Sequence, residues 1–185
     1  MNLLYVNDET NRYPQNSWYT ATSELLDSFE PVNNDISADV AIIGGGYAGL
    51  SAGLFLAEAG VNTVLLEAQK VGFGASGRNG GQLGAGQRMD QRDLIKLVGD
   101  NLGDQLWFLA EDAIDTVKNL IAKNEINCFL RPGVANLGTS NTETSDLHYY
   151  AEFLEKRYNL GNIDTVSKEE SEALCKSNEY KGGIL

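Results

Sequence analysis

The feature that most constrains this chain is a cluster of glycines directly after a short β-branched run. The run is Val40-Ala41-Ile42-Ile43, and the cluster that follows it reads Gly44-Gly45-Gly46-Tyr47-Ala48-Gly49. The run predicts a strand buried on both faces, and the residues from Tyr47 to Ala59 predict a helix that Gly60 ends. A second apolar run, 61–67, predicts another strand. This order of strand, glycine turn, helix and strand predicts a βαβ unit.

The glycine cluster has the spacing G-x-G-x-x-G, and each of its glycines has a physical role in a dinucleotide-binding turn. Gly44 permits the tight turn out of the strand, and Gly46 lacks the Cβ that would block a pyrophosphate. Gly49 lets the helix lie close to the sheet. The unpaired amides and the positive end of the helix dipole, at Tyr47 and Ala48, then face the phosphates. The motif therefore predicts an anion site made by the backbone.

Glu67 stands at the end of the second predicted strand. A carboxylate at this place can accept hydrogen bonds from both hydroxyls of an adenosine ribose. It would repel a ligand that carried a 2′-phosphate, so the residue favours FAD or NAD over NADP. The βαβ unit and its acid do not decide between FAD and NAD.

A second glycine-rich stretch runs from Gly72 to Gly86, with glycine at positions 72, 74, 77, 80, 81, 84 and 86. Such a run is costly in chain entropy on folding, and it lets the backbone approach a ligand along its length. A flexible linker has a similar glycine content, but Arg78, Asn79 and Gln82 are spaced as hydrogen-bond donors and are unlike serine-rich linker sequence. The stretch predicts a second ligand contact, beyond the pyrophosphate.

Taken together, these motifs resemble those of one family. Residues 38–49, 65–68 and 72–82 are similar to the D-amino-acid-oxidase-type FAD oxidoreductases, and the likeness extends more weakly over nearly the whole chain. Val134 stands where the family pattern has a second glycine after Gly133, a loop change without a clear consequence. The chain is also much shorter than members of the family.

The resemblance implies that FAD is the cofactor and that the reaction oxidises a C–N bond of an amine or amino acid. In such a reaction hydride passes to flavin N5, an imine is released and hydrolysed, and oxygen takes the electrons as peroxide. The resemblance also implies that Ser76 and Arg78 lie near the pyrophosphate and ribityl chain. Asn79, Gly81 and Gln82 would lie nearer the isoalloxazine ring. It identifies no acid or base catalyst in this chain.

The rest of the chain predicts a helical and α+β segment. Predicted helices cover 104–123 and 142–157, predicted strands cover 128–130 and 134–137, and Ser167 with Glu170 has capping-box spacing before a short helix. The apolar face of the first helix is expected to comprise Leu106, Leu109, Ala113, Val117 and Leu120. His148 is expected to lie on a helix in a surface or packing role. Cys128 and Cys175 lack metal-type spacing, and we expect reduced, buried thiols.

The predicted fold class is α/β, with a Rossmann-like FAD-binding βαβ unit followed by an α+β segment. We expect an N-terminal arm at 1–37, the FAD-binding unit at 38–90 and the α+β segment at 91–185. The chain ends at Ile184-Leu185 on apolar residues that look like the start of a strand. We therefore expect the incomplete N-terminal part of a two-domain flavoprotein, which would not turn over an amine by itself.

Composition limits the partners of the chain. It has 14 basic residues against 26 acidic ones and a net charge of −12, which argues against a general nucleic-acid surface because phosphate binding needs clustered Lys and Arg. No apolar run approaches the ~20 residues that span a bilayer, and residues 1–16 have no signal-peptide pattern. With the resemblance, this predicts a cytoplasmic protein whose partners are a small-molecule amine and oxygen, without nucleic acid or membrane.

Two other functions are compatible with parts of the pattern. A module that holds FAD or NAD without turnover would need the same βαβ unit, because that unit specifies binding and not reaction. The second glycine stretch argues against a module for NAD alone, which does not need backbone contacts beyond the pyrophosphate. An acidic structural or interaction protein would leave both glycine motifs unexplained.

Overall fold

The computed structural model describes residues 17–24, 26–27 and 29–185. The chain divides into two compact units, one up to Gly81 and one from Gln82 to Leu185. Residues 1–16 of the predicted N-terminal arm lie outside the described residues. The predicted division into arm, FAD-binding unit and α+β segment stays a prediction.

The first unit contains the predicted βαβ arrangement. Its elements are α1 (Trp18–Thr22), β1 (Val40–Ile43), α2 (Tyr47–Glu58), β2 (Thr63–Leu66) and a 3₁₀ helix (Ala75–Gly77). β1 and β2 pair in parallel, with Val40 opposite Thr63 and Ile43 opposite Leu66. β1 has the predicted bounds, and α2 begins where the glycine cluster predicted it. The α/β fold class is confirmed.

Two glycines bring α2 against the sheet. A Cβ added at Gly49 would overlap the carbonyl oxygen of Gly44 and would lie 3.2 Å from Ile42 Cγ2. At Gly53 an added Cβ would reach Ile42 Cδ1 at 3.4 Å and Leu65 Cδ1 at 3.9 Å, which are ordinary contacts. The helix is thus closest to the turn at Gly49, the position that the motif assigns to helix–strand packing.

The prediction that β1 is buried on both faces is wrong. Val40 and Ile42 are half-buried, whereas Ala41 is exposed and Ile43 is 88% exposed. Successive side chains of a strand point to opposite faces, and α2 covers the face of Ile42. Among the described residues, the other face of this two-stranded sheet has no such cover.

The second unit combines helices with a small antiparallel sheet. Its elements are α3 (Gln91–Val98), α4 (Asp100–Lys123), β3 (Asn136–Gly138), α5 (Asn141–Tyr158), β4 (Thr165–Val166), α6 (Lys168–Cys175) and β5 (Gly182–Ile184). β5 is the central strand and pairs antiparallel with both β3 and β4. α5 contacts β3 and β5, and α6 contacts β5.

Serine caps begin two of these helices, and only the cap at Ser167 was predicted. α5 and α6 begin at the serine caps Ser140 and Ser167, whose hydroxyls accept hydrogen bonds from the amides of Glu143 and Glu170, each at 3.2 Å. The Glu170 carboxylate in turn accepts from the Ser167 amide at 2.7 Å, so the predicted capping box is confirmed. The strand expected near the end of the chain is β5.

Other parts of this unit differ from the predictions. α4 begins at Asp100 and not at residue 104, and α3 was not predicted. The strand predicted over 128–130 is absent, and Phe129 has a positive φ of 52°, which an extended strand does not allow. β3 begins at Asn136, two residues later than expected. Short apolar runs do not by themselves decide between strand and irregular chain.

The buried face of α4 also differs from the predicted one. Gly103, Trp107 and Ala110 are its buried residues, whereas Leu109 is 59% exposed and Val117 is 39% exposed. The indole of Trp107 is only 2% exposed. It stacks on the ring of Tyr158 in α5, with 4.7 Å between the ring centroids.

A polar network joins α5 to α3 and α4 around this stack. Arg157 donates from Nε to Asp104 Oδ1 at 2.7 Å, and Tyr158 donates its hydroxyl to the same oxygen at 2.7 Å. The Gln91 side-chain amide donates to the Tyr158 hydroxyl at 2.7 Å and to the Gly103 carbonyl at 2.8 Å. The hydrogen bond from Arg157 lowers the pKa of the Asp104 carboxyl below its ordinary value, which favours the charged carboxylate in this network.

The two cysteines are exposed, and the histidine contacts β5. Cys128 and Cys175 are free thiols, as expected, but both are exposed, so the prediction that they are buried is wrong. His148 lies in α5, where its Nε2 is 3.0 Å from the carbonyl oxygen of Gly183 in β5; the packing role is confirmed.

None of the described helices combines the length and apolar character needed to cross a bilayer.

Replacing Trp107 by alanine is expected to lower the free energy of unfolding by about 3–5 kcal/mol. The substitution removes the buried indole, which leaves a cavity and abolishes the stacking on Tyr158. The matched control is Leu109→Ala in the same helix, which should change it by less than about 1 kcal/mol since Leu109 is exposed. Urea unfolding followed by circular dichroism measures both. Equal losses in the two variants would show that the buried face of α4 is assigned incorrectly.

Candidate functional site

The N-terminus of α2 is the centre of the candidate site. Gly46 precedes the helix, and the first helical hydrogen bond runs from the Leu50 amide to the Gly46 carbonyl at 2.9 Å. The amides before Leu50 have no acceptor within the helix. One of them, the amide of Tyr47, donates to the Ser76 hydroxyl at 3.0 Å. Tyr47 and Ala48 are exposed, so an anion can approach this end of the helix dipole.

The two glycine loops lie directly against each other. The amide of Gly72 donates to the carbonyl of Gly45 at 2.9 Å, and the Ser76 hydroxyl accepts from the amide of Tyr47. A Cβ added at Gly46 would lie 2.9 Å from Ser76 Oγ. The absence of a side chain at Gly46 is therefore what lets the second loop approach the start of α2. Ser76 thus lies beside the start of α2, and both were predicted to lie near the pyrophosphate.

The second loop repeats the local geometry of the first, a feature that the sequence predictions missed. Gly72, Gly74 and Gly77 have the same G-x-G-x-x-G spacing as residues 44–49. A Cβ at Gly77 would overlap the carbonyl oxygen of Gly72, the counterpart of the contact at Gly49. The repeated spacing is visible in the sequence, and it is the signal that could have identified this second turn.

Glu67 follows β2 directly, beside the glycine turn, and is half-buried. Its Oε2 accepts a hydrogen bond from the Gly45 amide at 2.6 Å, and its Oε1 accepts from the Gln69 amide at 2.8 Å. A carboxylate has about four lone-pair sites, so both oxygens can also accept from ribose hydroxyls. The sequence did not indicate a second role of Glu67, which is to hold the first glycine loop in place through the hydrogen bond from Gly45.

Arg78 and Asn79 follow the 3₁₀ helix. Arg78 donates from Nε to the Phe73 carbonyl at 2.8 Å, and its guanidinium lies 4.9 Å from the centre of the Phe73 ring. This bond uses one of five guanidinium N–H donors, and the residue is exposed. The Asn79 amide donates to the Ser76 carbonyl at 2.9 Å and to the Tyr47 hydroxyl at 3.2 Å.

The first unit ends at Gly81, a predicted site residue, and this end of the unit is contacted by a residue that the predictions missed. The Gly81 amide donates to the Asn79 side-chain oxygen at 2.8 Å. The missed residue is Tyr19 of α1, whose hydroxyl donates to the Asn79 carbonyl at 3.0 Å. No local pattern around Tyr19 marks this contact. Gln82 opens the second unit, so its role near a flavin ring stays a prediction.

The residues of the first unit fit a dinucleotide. The open amides of α2 suit a pyrophosphate, and Glu67 offers its carboxylate at the end of the neighbouring parallel strand. Within the described part of the chain, no group of three or more His, Cys, Asp or Glu side chains could hold a metal ion.

Residues 39–185 match the family model described as FAD dependent oxidoreductase, DAO. The chain belongs to this family. FAD is its cofactor, as predicted. The individual contacts assigned above to residues of both glycine loops and to Glu67 remain predictions.

Relatives of known description agree with the family. The chain is 34% identical to a probable oxidoreductase OrdL of Rhizobium meliloti over 171 residues, which are 92% of this chain and 40% of the relative. It is 33% identical to gamma-glutamylputrescine oxidoreductase of Escherichia coli over 169 residues, 91% of this chain and 39% of the relative. The chain thus spans about two fifths of the length of these relatives.

Glycine oxidase from Bacillus cereus has a similar fold. Its crystal structure superposes with a TM-score of 0.53 at 18% identity, covering 80% of this chain and 39% of that one. At this identity the likeness concerns the fold alone. It agrees with the α/β class and with the βαβ unit described above.

We expect Gly46→Val to abolish FAD binding while the protein stays folded. A branched side chain at this position would displace Ser76 and fill the space before α2 that the pyrophosphate needs. Flavin content and circular dichroism of the purified variant measure the two effects. Gly161→Val is the matched control, because a Cβ at Gly161 meets no atom within 4 Å. A full complement of flavin in Gly46→Val would contradict the assignment.

Glu67→Ala is expected to weaken FAD binding about tenfold to a hundredfold. Charge-assisted hydrogen bonds to the ribose contribute about 1.5–3 kcal/mol, and the variant also frees the Gly45 amide. Glu67→Gln, which keeps an acceptor oxygen, should lose less. The measurement is the FAD dissociation constant of each apoprotein, with exposed Asp39→Ala as control. Unchanged affinity in Glu67→Ala would show that the carboxylate does not meet the cofactor.

Proposed function

We propose that the protein uses FAD to oxidise a C–N bond of a small amine or amino acid, with oxygen as the electron acceptor. The observation that carries the proposal is the contact between the two glycine loops, through Gly72 with Gly45 and Ser76 with Tyr47. One of the similar proteins, gamma-glutamylputrescine oxidoreductase, is named for an amine. This name supports a substrate with an amino group.

Each part of the site has a role in this proposal. The amides of α2, with Ser76 and Arg78, would bind the pyrophosphate and the start of the ribityl chain, and Glu67 would bind the adenosine ribose. Asn79, Gly81 and Gln82 would face the ring. When bound, FAD supplies the electron acceptor for the reaction. The chain's own contribution is to hold and orient it.

The substrate class that we favour is an amine such as gamma-glutamylputrescine. The net charge of −12 supports a cationic substrate, because an acidic surface raises the local concentration of cations. The same charge disfavours nucleic acid as a partner, and we propose neither nucleic acid nor a membrane. The free thiols of Cys128 and Cys175 support a reducing compartment, and so a cytoplasmic site of action.

An oxidase assay tests the proposal. The full-length natural protein that contains this chain, purified and loaded with FAD, is expected to lose its yellow flavin absorbance anaerobically on addition of an amine substrate, and to release peroxide when oxygen is admitted. Gamma-glutamylputrescine, putrescine and glycine are the substrates to compare. Glycolate is the matched control for glycine, because it has a C–O bond in place of the C–N bond.

The outcomes separate the proposed reaction from simple binding. Bleaching by an amine and not by glycolate is the expected result. Stoichiometric FAD with no bleaching by any amine or amino acid would contradict amine oxidation and favour a binding module. Bleaching without peroxide would contradict oxygen as the acceptor, and a dye acceptor would then restore turnover.

A further inference from the structure

Tyr19 of α1 contacts the second glycine loop, 60 residues away in the sequence. Its hydroxyl donates a hydrogen bond to the carbonyl oxygen of Asn79 at 3.0 Å. Tyr19 is half-buried, whereas the preceding Trp18 is 76% exposed. The side of α1 that carries Tyr19 therefore faces the second glycine loop, and the side that carries Trp18 does not.

The same hydroxyl lies against the bend at Gly81. Gly81 has a φ of 73°, in the region that favours glycine. A Cβ added there would lie 2.6 Å from the Tyr19 hydroxyl oxygen, while the nearest ring carbon, Cζ, would be 3.6 Å away. The hydroxyl thus occupies the space that a side chain at Gly81 would need.

Asn79 connects this contact to the start of α2. Its side-chain oxygen accepts from the Gly81 amide at 2.8 Å, and its side-chain amide donates to the Tyr47 hydroxyl at 3.2 Å and to the Ser76 carbonyl at 2.9 Å. The backbone carbonyl of the same residue accepts from Tyr19. A continuous set of hydrogen bonds therefore runs from the N-terminus of α2 to α1.

We infer that Tyr19 is a positioning residue that holds Asn79, Gly80 and Gly81 in the conformation that binds FAD. The inference rests on the proposed cofactor site. A glycine-rich segment loses much conformational freedom when a ligand orders it, and that loss weakens binding. A hydrogen bond and a packed hydroxyl that order the segment beforehand reduce this cost. Tyr19 then raises cofactor affinity without itself being a catalytic residue.

The first test is the affinity for FAD. Tyr19→Phe removes the hydroxyl and keeps the ring, and it should raise the FAD dissociation constant about threefold to tenfold, as expected for one hydrogen bond. Trp18→Phe, in the same helix, is the matched control and should leave it unchanged. Hydrogen exchange of the Gly81 amide in the apoprotein should be faster in Tyr19→Phe and unaltered in the control.

A double-mutant cycle with Gly81→Ala tests the packing of the hydroxyl. The alanine Cβ clashes with the hydroxyl in the presence of Tyr19, but it meets only a ring carbon at 3.6 Å in Tyr19→Phe. The strain of alanine at positive φ is common to both backgrounds. Gly81→Ala should therefore weaken FAD binding by a larger factor with Tyr19 than with Phe at this position.

Each result decides between defined alternatives. Equal FAD affinity in wild type and Tyr19→Phe, or strictly additive effects in the cycle, would overturn the inference and leave the proposed site standing. Failure of the wild-type protein to bind FAD would overturn the proposed site and the inference with it. Weaker binding in Tyr19→Phe with unchanged exchange at Gly81 would also overturn it, because the loss would not come from ordering of the loop.

Discussion

The close approach of α2 to the turn at Gly44 is the contact on which the first unit depends. Any side chain at Gly49 would overlap the Gly44 carbonyl, and the helix would then begin farther from the sheet. The amide of Tyr47 would no longer meet Ser76, and the Gly45 carbonyl would move away from the Gly72 amide. The absence of a side chain at Gly49 thus determines where α2 begins and where the second glycine loop lies.

The sequence was most informative where a residue type is required by its own backbone or by its immediate neighbours. The glycines at 44–49 and the cap at Ser167 are of this kind, and the structure has a βαβ turn and a capping box there. The buried face of α4 is different, because burial depends on what packs against the helix. Tyr158 and Gln91 favour the face of Trp107 over the equally apolar face of Leu109.

The same distinction explains which site residues could be predicted. Glu67 follows the turn motif at a fixed place in the fold, so its position at the end of the second strand could be predicted, whereas its hydrogen bond from the Gly45 amide could not. Tyr19 could not, because its contact with Asn79 depends on the path of the chain between α1 and β1. The strand predicted over 128–130 failed for a related reason, since a short apolar run becomes a strand only where a neighbour offers hydrogen bonds.

The two units are stabilised in different ways, and this bears on the cofactor. The buried apolar side chains of the described chain, such as Trp107 and Leu154, all lie in the second unit. Among described residues up to Gly81, only Gly45 is buried, and the two glycine loops are joined by the hydrogen bonds from Gly72 to Gly45 and from Tyr47 to Ser76. A ligand that binds only the folded form adds about 2.7 kcal/mol of stability at a hundred times its dissociation constant. Because so few side chains of the first unit are buried, this contribution is a larger share of the stability there than in the second unit.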